Sequence, residues 1–168
     1  MTDPQARRLI VMRHAKAGDL PGGPDAERAL TPRGMADATR AGQWLAEQGF
    51  VPDAVICSTA RRARQTWRQV SAELPDAGVR AHEADSLYQA SAGDLLEIVR
   101  DTAEQAGTLM YVGHNPAAGN LAAALTGWRP AGFPTAAVAV IGFTGAWSRL
   151  NPGDGTLIAS WAPKSPGR

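Results

Sequence analysis

The sequence is poor in the residues that form disulfides, thiolate metal sites and broad charged surfaces. Its 168 residues include one cysteine, Cys57, which excludes an internal disulfide and a zinc site with several thiolate ligands. Lysine and arginine total 17 against 16 aspartates and glutamates, so the net charge is only +1. A chain with this balance has no broad basic field for nucleic acid or for an acidic membrane. Any recognition of anions must therefore be local.

Long hydrophobic runs are also absent. Residues 1–8 are polar and lead into only four consecutive apolar residues, which are too few for a signal-peptide core or a membrane span. Together with the single cysteine, this predicts a cytoplasmic protein that binds neither membrane nor nucleic acid. The content of 44% hydrophobic and 20% charged residues is typical of a globular chain. We expect a single domain over residues 1–168, with a disordered tail at residues 163–168.

The apolar pattern that is present alternates between strands and helices. Predicted strands lie at residues 9–12, 53–57, 108–112 and 136–143, with a weaker one at 78–82. Predicted helices lie at residues 32–48, 63–74, 92–105 and 116–126, and residues 147–150 and 156–161 are expected to pair as a hairpin. Strands separated by helices predict an α/β fold, a three-layer αβα sandwich whose central sheet is mainly parallel with helices on both faces.

Chemically useful side chains follow three of the predicted strands. Arg13 and His14 follow the first, His114 and Asn115 follow the strand at 108–112, and an arginine-rich segment follows the strand at 53–57. Because the carboxyl ends of parallel strands meet at one edge of a sheet, these groups are expected to surround one crevice. Guanidinium groups bind phosphoryl oxygens bidentately, and an imidazole can attack phosphorus. The pattern therefore favours a site for a phosphorylated ligand.

Four segments, taken together, resemble the histidine phosphatase (phosphoglycerate mutase-like) superfamily, and within it the short SixA-type phosphohistidine phosphatases. They are residues 9–15 (Leu-Ile-Val-Met-Arg-His-Ala), 30–34 (Leu-Thr-Pro-Arg-Gly), 58–66 (Ser-Thr-Ala-Arg-Arg-Ala-Arg-Gln-Thr) and 112–116 (Val-Gly-His-Asn-Pro). The resemblance implies that His14 is the catalytic nucleophile and that Arg13 and Arg62 clamp the phosphate. It also implies that His114 binds a phosphoryl oxygen, that Asn115 belongs to the substrate-binding set, and that neither a metal nor another cofactor is needed.

Within the arginine-rich segment, only one arginine matches the family's clamp. The family pattern is Arg-Ala-x-Gln-Thr, and Arg62 is the arginine that precedes Ala63 in it. Arg61 and Arg64 are therefore expected to lie on a solvated helix face.

The chain departs from the family pattern at two positions. Ala15 replaces the glycine of the common Arg-His-Gly motif, which adds one methyl group after the nucleophile. Gln89 stands where many members carry the glutamate that protonates the leaving alkoxide, and an amide cannot give up a proton. Glu83 and Asp85 lie nearby and are candidate acids, with solvated residues before a helix as the alternative reading.

These expectations define a metal-independent phosphatase that acts through a phosphohistidine intermediate. The imidazole of phosphohistidine can leave as a neutral group without a placed acid, so Gln89 favours phosphohistidine of a protein as substrate. The alternatives are a phosphatase of small phosphate esters and a phosphoprotein-binding module without turnover on the same fold. For attack, His14 must be neutral, whereas His114 would bind phosphate better as a cation, so we expect their pKa values to differ although neighbouring cations depress both.

A cysteine phosphatase and a P-loop nucleotide binder fit poorly. The first would need an arginine where the sequence has Ala63, and the second would need a glycine-rich loop ending in Gly-Lys-Ser or Gly-Lys-Thr, which neither lysine provides.

Overall fold

The sheet of this computed structural model, which describes residues 5–75, 79–102, 104–129 and 132–164, contains six strands. In chain order they are β1 (Ala6–Arg13), β2 (Ala54–Ser58), β3 (Ala81–Ala84), β4 (Thr108–Gly113), β5 (Val138–Thr144) and β6 (Thr156–Trp161). Their order across the sheet is β3-β2-β4-β1-β5-β6. β1 to β4 are parallel, whereas β5 is antiparallel to β1 and β6 is antiparallel to β5. The prediction of a mainly parallel sheet is confirmed.

Helices cover both faces of this sheet. They are α1 (Pro32–Gln48), α2 (Arg61–Glu73), α3 (Ala92–Arg100) and α4 (Ala117–Thr126). Because successive side chains of a strand point to opposite faces, β1 contributes to two separate cores. Leu9 and Val11 pack with residues of α3 and α4, and Ile10 and Met12 pack with residues of α1 and α2. The three-layer sandwich is therefore confirmed, and burial on both faces explains why β1 reads as an unbroken apolar run.

The ends of α1 agree with the sequence signals. Thr31 Oγ1 accepts a hydrogen bond from Gly34 N at 3.0 Å, and Pro32 occupies the first helical position. The helix ends at Gly49, whose φ of 75° lies in the left-handed region that glycine adopts without a Cβ clash. α3 begins with a capping box between Ser91 and Asp94 but ends at Arg100, short of the predicted 105.

The predicted hairpin between residues 147–150 and 156–161 is wrong. Trp147–Arg149 forms a 3₁₀ turn, and β6 pairs with β5 instead. The indole of Trp147 is fully buried, stacks edge-on against Phe143 at 4.9 Å and donates from Nε1 to Ala106 O at 2.8 Å. Packing of this large ring in the core outweighs the local tendency of the segment to pair as a strand.

Other predicted boundaries shift by a few residues. β1 begins at Ala6 because it pairs with β5 along its full length, and α4 begins at Ala117 with Pro116 as its cap residue. Residues 78 and 103, within the predicted strand at 78–82 and the predicted helix at 92–105, lie outside the described residues, as do 165–168 of the predicted tail. Among the described residues, none of the helices is both long and apolar enough to span a membrane.

Candidate active site

The register of the sheet brings the predicted strand ends together. Arg13 lies opposite Gly113 in the β1–β4 pair, and Cys57 lies opposite Val112 in the β2–β4 pair. The residues that follow β1, β2 and β4 therefore emerge side by side at one edge of the sheet, as the parallel arrangement predicted. Cys57 itself is fully buried, and burial raises the pKa of its thiol to about 12, so it is a core residue.

His14 is held by its own backbone and by that of the neighbouring strand. Its N–H donates to Gly113 O at 2.8 Å, and only 7% of the residue is exposed. The ring nitrogen Nδ1 lies 2.8 Å from Ala15 O. A carbonyl oxygen only accepts hydrogen bonds, so Nδ1 carries the hydrogen and donates it. In the neutral ring, the lone pair is consequently on Nε2.

His114 lies beside His14, with ring centroids 5.2 Å apart. Its backbone N–H donates to the hydroxyl of the buried Tyr111, and its Nε2 lies 2.8 Å from Ser58 Oγ, at the end of β2. The ring of Tyr88 packs edge-on against His114 at 5.4 Å. Contacts from three different elements therefore fix the position of this imidazole.

Arg62, the second residue of α2, is 94% buried and faces the 3₁₀ turn Asp25–Glu27. Its Nη1 donates to Asp25 O at 2.9 Å, and its Nη2 donates to Asp25 Oδ2 at 3.0 Å. Its Nε is buried and has no hydrogen-bond partner among the described residues. A buried donor without a partner is costly, and an anion bound against Nε would remove that cost. Arg61 and Arg64, by contrast, are exposed, as predicted.

Arg13 and Asn115 converge on one carbonyl group. Arg13 Nη1 and Asn115 Nδ2 donate to Phe133 O at 3.3 and 2.7 Å, and Asn115 Oδ1 accepts from Gly119 N. The Nε of Arg13 is buried without a partner, and among the described residues no carboxylate pairs with this guanidinium. Burial lowers the pKa of Arg13. A partly desolvated cation without a counterion attracts an anion, whereas both polar ends of Asn115 are engaged in holding the loop.

Both site histidines are neutral at physiological pH. Burial lowers the pKa of His14 to about 3, with smaller effects of His114, Arg62 and Arg13 in the same direction. Burial also lowers the pKa of His114 to about 4, helped by Arg62 and partly opposed by Asp25. Both pKa values fall, as predicted, but desolvation contributes more than the neighbouring cations do. The two pKa values differ in the expected direction, that of His114 being the higher, but both histidines are neutral in the ligand-free site.

Thr66 links the nucleophile candidate to the helix that carries Arg62. This fully buried side chain accepts a hydrogen bond from Ala15 N at 3.0 Å and donates one to Arg62 O at 2.7 Å. The peptide group of Ala15 is therefore fixed through its nitrogen by Thr66, while the oxygen of the same residue accepts from the His14 ring. The methyl group of Ala15 is fully buried, so alanine is accommodated where the family pattern has glycine.

The two candidate acids lie at the periphery. Glu83 is exposed on β3, and Asp85 is exposed and accepts a hydrogen bond from Thr59 Oγ1 at 2.7 Å. Among the contacts of the described residues, neither carboxylate touches His14, Arg62 or His114. Their role as acids remains a prediction without a supporting contact. No group of three or more histidine, cysteine, aspartate or glutamate residues within the described ranges is arranged to hold a metal ion.

Four residues at this site were not singled out from the sequence. Asp25 and Tyr88 lie in non-repetitive segments, where no apolar periodicity indicates the direction of a side chain. Ser58 and Thr66 lie within the segment 58–66, so they could have been found by asking which hydroxyl groups of that motif are buried.

Comparisons with known proteins match these observations. The sequence matches the family model of the histidine phosphatase superfamily (branch 1) over residues 9–110, a range that includes His14 and Arg62 and ends before His114. An uncharacterized protein of Mycobacterium tuberculosis is 36% identical over 163 residues, which cover 91% of this chain and all of that protein.

Solved structures extend the similarity to the whole fold. A structure from Nakamurella multipartitia, provisionally assigned as the phosphohistidine phosphatase SixA, is 32% identical with a TM-score of 0.81 and covers 97% of this chain and all of that chain. The protein histidine phosphatase SixA complexed with tungstate is 27% identical with a TM-score of 0.76, over 91% of this chain and 95% of that one.

Proposed function

This chain belongs to the histidine phosphatase superfamily (branch 1), and we propose that it is a metal-independent phosphatase acting through phosphorylated His14 on phosphohistidine of a protein. The observation that carries the proposal is the state of His14. Its Nδ1–H is bound to Ala15 O, its ring is neutral at physiological pH, and the lone pair on Nε2 is left for attack. An imidazole fixed in this tautomer is prepared to act as a nucleophile.

In the first step, His14 Nε2 attacks phosphorus in line with the leaving group. A bond forms between Nε2 and phosphorus, and the bond from phosphorus to the leaving atom breaks with its electron pair on that atom. The Nε–H groups of Arg13 and Arg62 are donors available for the equatorial phosphoryl oxygens, where charge accumulates. In the second step, the oxygen of water bonds to phosphorus and one proton of that water passes to a phosphoryl oxygen, while the bond from phosphorus to Nε2 of His14 breaks with its electron pair on Nε2, which releases inorganic phosphate and the neutral imidazole.

His114 contributes as a neutral donor in this proposal. Ser58 Oγ accepts a hydrogen bond from Ala60 N at 3.2 Å, so its hydroxyl hydrogen can donate to His114 Nε2. The remaining hydrogen of a neutral imidazole is then on Nδ1, from which it can donate to a phosphoryl oxygen. A bound phosphoryl dianion would raise the pKa of His114 from its value in the ligand-free site.

The lack of a general acid at the position of Gln89 supports a substrate whose scissile bond joins nitrogen and phosphorus. An alkoxide leaves poorly without a proton donor, but Gln89 has no acidic proton, and the Tyr88 hydroxyl donates to Asp25, which raises the pKa of the phenol. A protonated phosphoimidazole needs no such donor, because its imidazole leaves as a neutral molecule. The similarity to the two SixA structures agrees with this substrate class, and the tungstate bound to one of them is a tetrahedral oxyanion like phosphate.

The proposal is tested by comparing substrates with the purified protein in EDTA. We expect kcat/KM to be highest for a phosphohistidine protein, lower for a phosphoserine peptide and for a sugar phosphate, and abolished for all three in His14→Ala. Loss of activity in EDTA would contradict metal independence. A preference for the sugar phosphate would favour a phosphatase of small esters, and binding of phosphoprotein without turnover would favour a binding module.

A further inference from the structure

A carboxylate lies inside the otherwise cationic site. Asp25 contacts the guanidinium groups of Arg62 and Arg28 at 3.0 and 2.9 Å and accepts a hydrogen bond from the Tyr88 hydroxyl. The hydrogen bond from Tyr88, with those from Arg28 and Arg62, holds the pKa of Asp25 far below its ordinary value. These contacts favour the anionic form of Asp25.

An anion at this position opposes the binding of phosphate. The backbone oxygen and the carboxylate of Asp25 each accept from one Nη of Arg62, and Arg62, like Arg13, has a buried Nε–H without a partner among the described residues. Asp25 is also close enough to His114 to raise its pKa. The negative charge of Asp25 therefore affects His114 as well as Arg62. A counterion with only a structural role would need to affect Arg62 alone.

Asp25 retains the capacity to bind a further donor. Its Oδ2 accepts from both Arg62 and Tyr88, whereas Oδ1 accepts only from Arg28 among the described residues. Each carboxylate oxygen can accept about two hydrogen bonds. The side chain is 52% exposed, so a group on a bound substrate can reach Oδ1 from solvent.

We propose that Asp25 is a specificity-determining residue that accepts a hydrogen bond from a cationic leaving group, the protonated imidazole of a phosphohistidine. This inference rests on the proposed function and names the feature of the substrate that the site selects. In this arrangement, the arginines bind the phosphoryl group, and the carboxylate of Asp25 binds the protonated imidazole of the leaving group. A phosphate ester, whose leaving group carries no positive charge, gains nothing from Asp25.

The chemical step balances without proton transfer to or from Asp25. His14 Nε2 forms a bond to phosphorus, and the bond between phosphorus and the substrate imidazole breaks with its electron pair on the departing nitrogen. The second nitrogen of that imidazole keeps its proton, so the leaving group departs neutral. A hydrogen bond from this N–H to Asp25 stabilises the protonated form of the substrate, which is the form with the better leaving group.

The test measures selectivity instead of activity alone. Asp25→Asn keeps an oxygen that can accept from Arg62 but removes the negative charge. We expect kcat/KM for a phosphohistidine protein to fall by about tenfold or more, as for the loss of a charge-assisted hydrogen bond, and kcat/KM for para-nitrophenyl phosphate to fall much less, so that the ratio of the two values falls. Asp19→Asn, which removes an exposed carboxylate of the same loop, should leave both values unchanged.

The controls separate the possible outcomes. Equal losses on both substrates would mean that Asp25 only positions Arg62, and unchanged values on both would mean that its charge is irrelevant; either result overturns the inference. A wild-type protein that hydrolyses para-nitrophenyl phosphate but not phosphohistidine overturns the proposed function itself. Thermal unfolding establishes that Asp25→Asn is folded, and Asp25→Ser replaces it if it is not.

Discussion

Thr66→Val would isolate the hydrogen bonds that connect the Ala15 peptide to α2. Valine has nearly the shape of threonine but no hydroxyl, so Ala15 N–H loses its acceptor in a fully buried place. A buried donor left without a partner costs about 1–3 kcal/mol. For a protein of this size, that corresponds to a fall in Tm of about 2–12 °C.

The same change should also affect catalysis. The carbonyl of Ala15 accepts a hydrogen bond from the His14 ring. Greater motion of Ala15 would weaken this bond, which fixes both the tautomer of His14 and the direction of its Nε2. Misplacement of a reacting group by about 1 Å can cost up to about 100-fold. We expect kcat for para-nitrophenyl phosphate to fall at least about tenfold in Thr66→Val with little change in KM.

Thr66→Ser is the matched control, because it keeps the hydroxyl and removes only a buried methyl group. It should lose about 1 kcal/mol of stability and keep most of its kcat. Urea unfolding and steady-state kinetics on the two variants decide the question. Equal kcat values in Thr66→Val and Thr66→Ser would refute a role of this hydroxyl in positioning His14.

Three further predictions follow from the geometry of the site. Arg62→Ala should lower kcat/KM by about 100-fold or more, as for loss of a transition-state donor, whereas Arg61→Ala should change it less than about threefold; equal losses would mean that the clamp is misassigned. Ser58→Ala should lower kcat by about tenfold, because His114 loses the contact that fixes its tautomer, and unchanged kinetics would remove Ser58 from the site. As the pH falls from about 6 to 5, His14 and His114 should each lower the free energy of unfolding by about 1.4 kcal/mol per pH unit, because the unfolded chain protonates near the ordinary pKa of 6.5 while the folded pKa values are about 3 and about 4. Urea titrations should give a smaller slope in His14→Ala, and an identical slope would contradict the burial of a neutral imidazole.

The strands and the edge at which the site forms could be predicted because their signals are local. An unbroken apolar run such as residues 9–12 indicates a strand that is buried on both faces, as in a sheet covered by helices on both sides. Once β1, β2 and β4 were predicted as parallel, His14 and His114 were expected at the same edge of the sheet, but their direct contact also depends on β1 and β4 being neighbours, which the sequence did not predict.

The rest of the site depends on contacts between distant parts of the chain. Asp25 reaches Arg62 across 37 residues, and Tyr88 reaches Asp25 across 63, through segments whose paths no periodicity defines. The burial that depresses both histidine pKa values is likewise a property of the assembled core, so the sequence indicated the nearby cations but not the larger effect of desolvation. The burial of Trp147, which replaced the predicted hairpin, has the same origin.

Trapping of the phosphorylated protein would identify the nucleophile, which we propose is His14. The protein is mixed with excess phosphohistidine protein, quenched within milliseconds in alkaline denaturant, in which phosphohistidine survives, and mapped by peptide mass spectrometry. We expect a phosphoryl group on His14 in the wild-type protein and none in His14→Ala, which should also lack turnover. A phosphoryl group on another residue, or turnover retained by His14→Ala, would contradict this proposal.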